Sequence, residues 1–129
     1  MKKVLFVCVE NSCRSQMAKG FFNWLTKEEY ADSAGTEPAE NVNPTAIKVM
    51  KEADIDISEE RPKVITSQMN DEFDYIVSMG CTEGCPLTPK HKTIEWNIPD
   101  PQGKSIDFFR KTRDNIRKQV KELLMEIKK

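Results

Sequence analysis

Residues 3–15, KVLFVCVENSCRS, determine the fold. Their first part, Lys3–Cys8, is a short run rich in Val and Phe, which is typical of a buried central β-strand. A polar stretch, residues 10–14, follows directly. Beyond it, apolar residues recur at the spacing of one helix face at Met17, Ala18, Phe21, Phe22 and Leu25. The stretch therefore predicts a strand, a short loop and a helix.

The rest of the chain repeats this alternation of strands and helices. Further strand-like segments are Tyr30–Ala34 (ended by Gly35), Phe73–Met79 and Thr93–Ile98. Two helix starts are also predicted. Asn43 caps one helix, with Pro44 at its first helical position, and Ser105 caps the long final helix. For residues 61–70 the sequence allows two predictions, a short helix or an irregular crossing. The alternation predicts an α/β fold over one domain, residues 1–129, with a four-stranded parallel sheet and helices on both faces.

Composition excludes several classes of protein. The 129 residues carry a net charge of −1, which argues against a general nucleic-acid or anionic-membrane surface. The longest apolar run, Val4–Val9, is far too short to span a membrane, and without a small-residue cleavage site it is not expected to be a signal peptide. We therefore expect a cytoplasmic protein, in which four cysteines serve catalysis, redox chemistry or metal binding rather than structural disulfides.

The loop after the first strand brings a cysteine and an arginine to the ligand edge of the sheet. A loop there aims backbone N–H groups at one point, at the positive end of a helix dipole, which favours an oxyanion and the thiolate of Cys8. Arg14 offers a two-pronged donor to the oxyanion, and Ser15 offers a hydrogen bond to the Cys8 sulfur. The alternative is a buried strand cysteine beside an unrelated surface arginine. The predicted oxyanion-binding residues are Val9, Glu10, Asn11, Ser12, Cys13 and Arg14.

A carboxyl group is expected at the same edge. Asp100 lies between two prolines, Pro99 and Pro101, directly after the fourth predicted strand. The prolines hold the loop extended and rigid. A carboxyl group beside a cysteine–oxyanion adduct can protonate the leaving oxygen, whereas the alternative is an ordinary Asp-Pro turn.

These residues resemble the low-molecular-weight protein tyrosine phosphatase superfamily over essentially the whole chain. The run from Asn11 to Ala18, NSCRSQMA, is most similar to the thioredoxin-coupled arsenate reductases, since phosphatase members usually have proline at the position of Gln16. The resemblance implies a flavodoxin-like three-layer sandwich. It also implies reduction of arsenate to arsenite by Cys8, Arg14 and Asp100. We expect no cofactor and no resident metal. We expect a monomer.

The resemblance also gives roles to two thiols after the third predicted strand, in the segment CTEGCP. It implies that Cys81 attacks Cys8, and that Cys85 then attacks Cys81 to leave a disulfide for a thioredoxin-like reductant. The two cysteines lie closer together here than in that family. Alternatives are inert buried thiols, or a zinc site of Cys81, Cys85 and His91 with or without Cys8.

Two further departures from the family concern charge. Some arsenate reductases bind potassium beside the loop through acidic residues, where this chain has Lys19 and Lys63. Glu10 replaces a glycine, and we expect its carboxylate to point away from the oxyanion. Two rival functions stay open. One is a tyrosine or small phosphomonoester phosphatase that uses Cys8, Arg14 and Asp100 alone, and the other is a redox sensor or oxyanion-binding module without turnover.

Overall fold

A computed structural model describes residues 1–80 and 89–128 of the chain. Four strands form one parallel sheet in the order β2-β1-β3-β4. They are β1 (Lys3–Cys8), β2 (Tyr30–Gly35), β3 (Tyr75–Met79) and β4 (Thr93–Trp96). The helices are α1 (Arg14–Leu25), α2 (Pro44–Glu52), α3 (Ser67–Glu72) and α4 (Ile106–Ile127), and a 3-10 turn covers Lys90–Lys92.

Alternate residues of β1 point into two separate apolar clusters. Val4, Phe6 and Cys8 face the larger cluster, to which α1, α2 and α4 contribute their buried faces. Leu5 and Val7 face the smaller cluster, which the chain between β2 and β3 covers with residues such as Ile65 and Phe73. The sheet is therefore covered on both faces, and the predicted three-layer α/β fold is confirmed.

Side-chain caps start three of the four helices. Asn43 accepts hydrogen bonds from the backbone of Thr45 and Ala46, with proline at the first helical position, as predicted. Ser105 likewise caps α4. The N-cap of α1 is Cys13, whose side chain makes no capping bond. The N-terminus of α1 is therefore the exception, and it is also the one beside the predicted oxyanion loop.

Two strands are shorter than predicted, because local turns end them. The amide of Phe73 bonds to the carbonyl of Met69 and closes α3, so β3 begins at Tyr75. The amide of Ile98 turns back to the carbonyl of Trp96 at 3.1 Å, so β4 ends there, ahead of Pro99.

Residues 61–70, for which the sequence allowed two interpretations, contain an isolated β-bridge and the start of a helix. Val64 pairs with Gly35 at the end of β2, and α3 begins at Ser67.

Among the helices of the described residues, none is long and apolar enough to cross a membrane.

Candidate active site

The loop of residues 9–13 turns from β1 into α1 close against the end of β2. A side chain at Gly35 would place its Cβ 2.6 Å from the carbonyl oxygen of Val9, so only glycine permits this approach. Asn11 has a φ of 52°, in the left-handed region that asparagine tolerates better than most residues. The loop is therefore held in a tight, specified curve at the carboxyl edge of the sheet.

The carbonyl groups of the loop face the outer segment of residues 37–43. The amides of residues 37, 39 and 43 donate to the carbonyl oxygens of Val9, Glu10 and Ser12, at 2.8, 2.9 and 2.9 Å. These three carbonyls are therefore bonded to the outer segment, and the loop's amide groups are free of that segment at the start of α1. This is the arrangement that binds anions through backbone N–H groups.

Cys8 and Ser15 meet inside this curve, as the sequence predicts. The Cys8 Sγ lies 2.9 Å from the Ser15 Oγ. Asn11 Nδ2 donates to the same hydroxyl oxygen at 2.7 Å, so the hydroxyl's own hydrogen is available to the sulfur. Both Cys8 and Ser15 are buried. Ser15 is therefore placed as a hydrogen-bond donor to the Cys8 sulfur.

The Asn11 side chain is itself held by two groups that sequence reasoning missed. Its Oδ1 accepts from the backbone amide of Lys63 at 3.0 Å and from Gln16 Nε2 at 3.2 Å. Gln16 Nε2 also lies 3.1 Å from the Asn11 carbonyl oxygen. Gln16 is buried, which is unusual for a glutamine on a helix face. The sequence singled it out only as the position where phosphatase members have proline, and not as a partner of Asn11.

Arg14 and Asp100 lie on the open side of the loop. Arg14 Nη1 donates to the Ile98 carbonyl at 3.0 Å, and Nη2 lies 3.7 Å from Asp100 Oδ2, beyond hydrogen-bond distance. Arg14 is buried, whereas the Asp100 side chain is 44% exposed. A Cβ at Gly80 would lie 1.9 Å from Arg14 Nη1, so the guanidinium packs directly on this glycine. Asp100 and Arg14 are therefore brought together, and Nη2 keeps donor capacity for an oxyanion.

Gln102, which the sequence analysis did not single out, links the Asp100 loop to the oxyanion loop. Its Nε2 donates to Glu10 Oε2 at 3.0 Å and to Ser12 Oγ at 3.1 Å. The Glu10 carboxylate is thus turned toward Gln102.

Cys13 has a different environment from Cys8. Burial raises the pKa of its thiol to about 12, outweighing the hydrogen bond from Ser12, which lowers it. Cys13 is therefore a neutral thiol at physiological pH.

Lys19 and Lys63 meet carboxylates behind the loop. Both ammonium groups contact Asp32, at 3.3 and 2.5 Å, and Lys19 also binds Glu60. Burial alone would lower the pKa of Lys19, but its bonds to Glu60 and Asp32 raise it. Burial alone would raise the pKa of Asp32, but the hydrogen bond from Lys63 and other favourable contacts hold it below its usual value. Each of these carboxylates is thus paired with at least one ammonium group.

Cys81 and Cys85 lie outside the described residues, so the predicted redox pair is not located. The same holds for the alternative zinc set, which needs both of them. Cys8, Arg14, Ser15 and Asp100 are brought together at one edge of the sheet, as the sequence predicts.

The chain is similar to known proteins in both sequence and fold. Residues 3–129 match the model of the low molecular weight phosphotyrosine protein phosphatase family. The chain is 39% identical to a glutaredoxin arsenate reductase of Synechocystis sp., over 98% of this chain and 99% of that protein. It is 40% identical to arsenate reductase 2 of Staphylococcus saprophyticus, over 94% and 95%.

A solved structure of an arsenate reductase in the phosphate-binding state superposes on this fold with a TM-score of 0.88. It is 39% identical and covers 98% of this chain and 99% of its own. The chain therefore belongs to the low molecular weight phosphotyrosine protein phosphatase family, and within that family it groups with the arsenate reductases.

Proposed function

We propose that this enzyme reduces arsenate to arsenite. The observation that carries the proposal is the Cys8 sulfur, 2.9 Å from the Ser15 hydroxyl in a curved anion-binding loop, in a chain whose relatives over nearly its full length are named arsenate reductases. Arsenate is a tetrahedral oxyanion, which suits the planar donors of Arg14 and the converging backbone amides.

The first step forms a bond between the Cys8 sulfur and arsenic. The Cys8 thiolate attacks arsenic, and one arsenate hydroxyl group takes a proton from Asp100 and leaves as water. Arg14 and the loop amides hold the remaining oxygens. The position of Asp100 beside Arg14 supports this role, because the leaving oxygen then departs on the side where the carboxyl group lies.

Electrons reach arsenic in the second step. The Cys81 thiolate attacks the Cys8 sulfur, the sulfur–sulfur bond forms, and the electron pair of the broken sulfur–arsenic bond stays on arsenic, which leaves as arsenite. Cys85 then attacks Cys81, and Cys8 leaves as a thiolate that Ser15 stabilises. A thioredoxin-like dithiol reduces the Cys81–Cys85 disulfide, which supplies two electrons for each arsenite.

A second candidate function is hydrolysis of phosphomonoesters. Cys8, Arg14 and Asp100 suffice for it, since phosphate and arsenate have nearly the same shape, and the family's description supports it. Water would then release phosphate from Cys8, and neither Cys81 nor Cys85 would be needed.

Cysteine variants distinguish the two functions. In Cys81→Ser and Cys85→Ser we expect steady arsenite production to be lost, while hydrolysis of an aryl phosphate stays nearly intact. Cys85→Ser should release a single burst of arsenite per enzyme and then stall as a Cys8–Cys81 disulfide. Thr82→Ser, which keeps both thiols of the segment, is the matched control.

The measurements are arsenite yield and free-thiol count after one turnover. Steady cycling of Cys85→Ser at the wild-type rate would refute the relay and favour the phosphatase. If a substitution of Cys81 or Cys85 lowers both activities equally, that cysteine has a structural role. A protein that neither releases arsenite nor hydrolyses the aryl phosphate would be a sensor or binding module.

The reductant, location and assembly belong to the same proposal. The relay ends in an internal disulfide, which is a substrate for a thioredoxin-like dithiol, so turnover is compared with a thioredoxin system and with glutathione plus glutaredoxin. Faster cycling with glutaredoxin would contradict this choice. We also propose one cytoplasmic domain over residues 1–129 that acts as a monomer, which light scattering of the purified chain and fractionation of cells test directly.

A further inference from the structure

Gln102 contacts the site through both its backbone and its side chain. Its amide donates to Asp100 Oδ1 at 3.0 Å, and its side-chain Nε2 reaches Glu10 and Ser12 in the oxyanion loop. One residue therefore holds the carboxyl group of Asp100 and spans the gap to the loop around Cys8. The two loops come from the ends of β4 and β1, about 90 positions apart in the chain.

Asp100 has few other contacts in the part of the chain that the structure describes. Its side chain is 44% exposed, and its Oδ2 is 3.7 Å from Arg14 Nη2, which is too long for a hydrogen bond. The bond from the Gln102 amide fixes Oδ1 and so leaves Oδ2 on the side of Arg14. The orientation of Asp100 thus depends on where Gln102 is held.

The side chain at position 102 fits an amide better than its close analogues. Nε2 carries two hydrogens and meets two acceptors, the Glu10 carboxylate and the Ser12 hydroxyl. A glutamate there would set a second carboxylate against Glu10, and an alanine would remove the link. By donating a hydrogen bond to the Glu10 carboxylate, Gln102 also offsets part of its negative potential in a loop that must bind an anion.

We infer that Gln102 is a positioning residue: it ties the Asp100 loop to the oxyanion loop and thereby sets Asp100 over the oxygen that leaves. This inference rests on the proposed role of Asp100 as the acid. Gln102 touches neither the reacting atoms nor the anion in this assignment, and it acts through Asp100 and through Glu10 and Ser12.

The test compares Gln102→Ala, Gln102→Glu, Asp100→Asn and the double variant Asp100→Asn with Gln102→Ala. Gln119→Ala is the matched control, because Gln119, like Gln102, is a half-buried glutamine, and its side chain bonds to Asn115 on α4, away from the site. Two readouts are used: the single-turnover rate of arsenite formation, and kcat/KM for aryl phosphates with good and poor leaving groups. Protonation by Asp100 matters most when the leaving group is poor.

We expect Gln102→Ala to slow arsenite formation about tenfold, and Gln102→Glu to slow it more. For aryl phosphates the loss should be larger with phenyl phosphate than with p-nitrophenyl phosphate. Inhibition by inorganic phosphate should change little. The double variant should be no slower than Asp100→Asn alone, because both changes disable the same proton transfer.

Two results overturn the inference alone. The first is that Gln102→Ala lowers kcat/KM equally for phenyl phosphate and p-nitrophenyl phosphate, while Asp100→Asn lowers it more for phenyl phosphate. The second is that the loss of rate in the double variant equals the product of the losses in the two single variants. If Asp100→Asn itself shows no dependence on the leaving group and no loss of arsenite formation, the proposed role of Asp100 fails and the inference fails with it.

Discussion

The side of the oxyanion loop that holds Cys8 is buried, whereas the side that carries Asp100 is open to solvent. On the buried side, Cys8, Ser15, Asn11 and Gln16 form a continuous set of hydrogen bonds among groups that are at most 2% exposed. On the open side, Asp100 is held by an ion pair at 3.7 Å and a bond from the Gln102 amide.

This difference separates stability from chemistry. Buried polar groups that lose a partner destabilise a fold, because each is left unsatisfied away from water. Exposed groups can lose a partner to water at little cost. We therefore expect changes on the buried side to affect folding and activity together, unless they preserve the hydrogen bonds. Changes on the open side should affect activity alone.

The largest expected effect is that of Cys8→Ser. It removes the nucleophile with hardly any change of volume, so thermal stability should stay close to that of the wild type. Arsenite formation and aryl-phosphate hydrolysis should both fall on the order of 10⁴-fold, since a hydroxyl does not ionise in this loop. Retention of more than a few per cent of either activity would move the nucleophile elsewhere.

The next effect concerns Gly80, which touches Arg14. Gly80→Ala would put a Cβ 1.9 Å from Arg14 Nη1 and so displace the guanidinium. We expect kcat/KM for arsenate to fall about 10²-fold, the loss seen when one oxyanion donor is removed.

Gly103→Ala is the matched control for this prediction. Gly103 has a φ of 77°, similar to the 84° of Gly80, but a Cβ there meets nothing within 4 Å. Both variants carry the same kind of backbone strain, so only the contact with Arg14 differs between them. Equal losses of activity in the two variants would show that strain, not the displaced arginine, is responsible.

The contrast between the two sides also shows how much the sequence could predict. The strand–loop–helix pattern of residues 3–25 placed Cys8, Arg14 and Ser15 correctly, because these groups are close together in the chain and the local pattern fixes their spacing. The parallel sheet then placed Asp100 at the same edge. Here, local sequence and topology were enough.

The residues that support these groups could not be found in this way. Lys63 reaches Asn11 from 52 positions away, and Gln102 reaches Glu10 from 92 positions away. Such contacts depend on how the crossovers fold back, and no periodicity marks them. Gly35 and Gly80 are required by the approach of one neighbouring loop and one side chain, which a single sequence does not reveal.

Asp100→Asn tests the open side. We expect kcat for arsenite formation to fall about 10²-fold, in the range that a general acid contributes. The melting temperature should not change measurably, because the side chain is largely exposed. Asp114→Asn, at an exposed position on α4, is the control. A clear drop in the melting temperature of Asp100→Asn alone would contradict the separation of stability from chemistry.

A smaller effect is expected at Asp32, behind the buried side. The pKa of Asp32 is held below its usual value, so its charge stabilises the fold at pH values above the unfolded pKa, and that contribution is lost as the pH falls through the folded pKa. Asp32→Asn should destabilise the protein by about 1–2 kcal/mol near neutral pH.

Urea unfolding of the wild type and of Asp32→Asn between pH 7 and pH 3 measures this contribution. The difference between the two proteins should be constant near neutrality and shrink as the pH falls below about 4, because the unfolded chain then binds a proton that folded Asp32 does not. It is lost completely once the folded carboxyl group is protonated as well. A difference that is the same at pH 3 as at pH 7 would mean that packing, not charge, is what Asp32 supplies.

The smallest expected effect is that of potassium. The ammonium groups of Lys19 and Lys63 already contact Asp32, and Lys19 also binds Glu60. An added cation would have to enter beside two positive charges, which repel it. We therefore expect turnover and melting temperature to be the same in potassium and sodium chloride at equal ionic strength.

Lys19→Ala sharpens the test, because it takes away the ammonium between two carboxylates. That variant should be stabilised by either salt, since screening weakens the repulsion between them. A gain in turnover of the wild type with potassium, but not with sodium, would show that the lysines do not replace a bound cation.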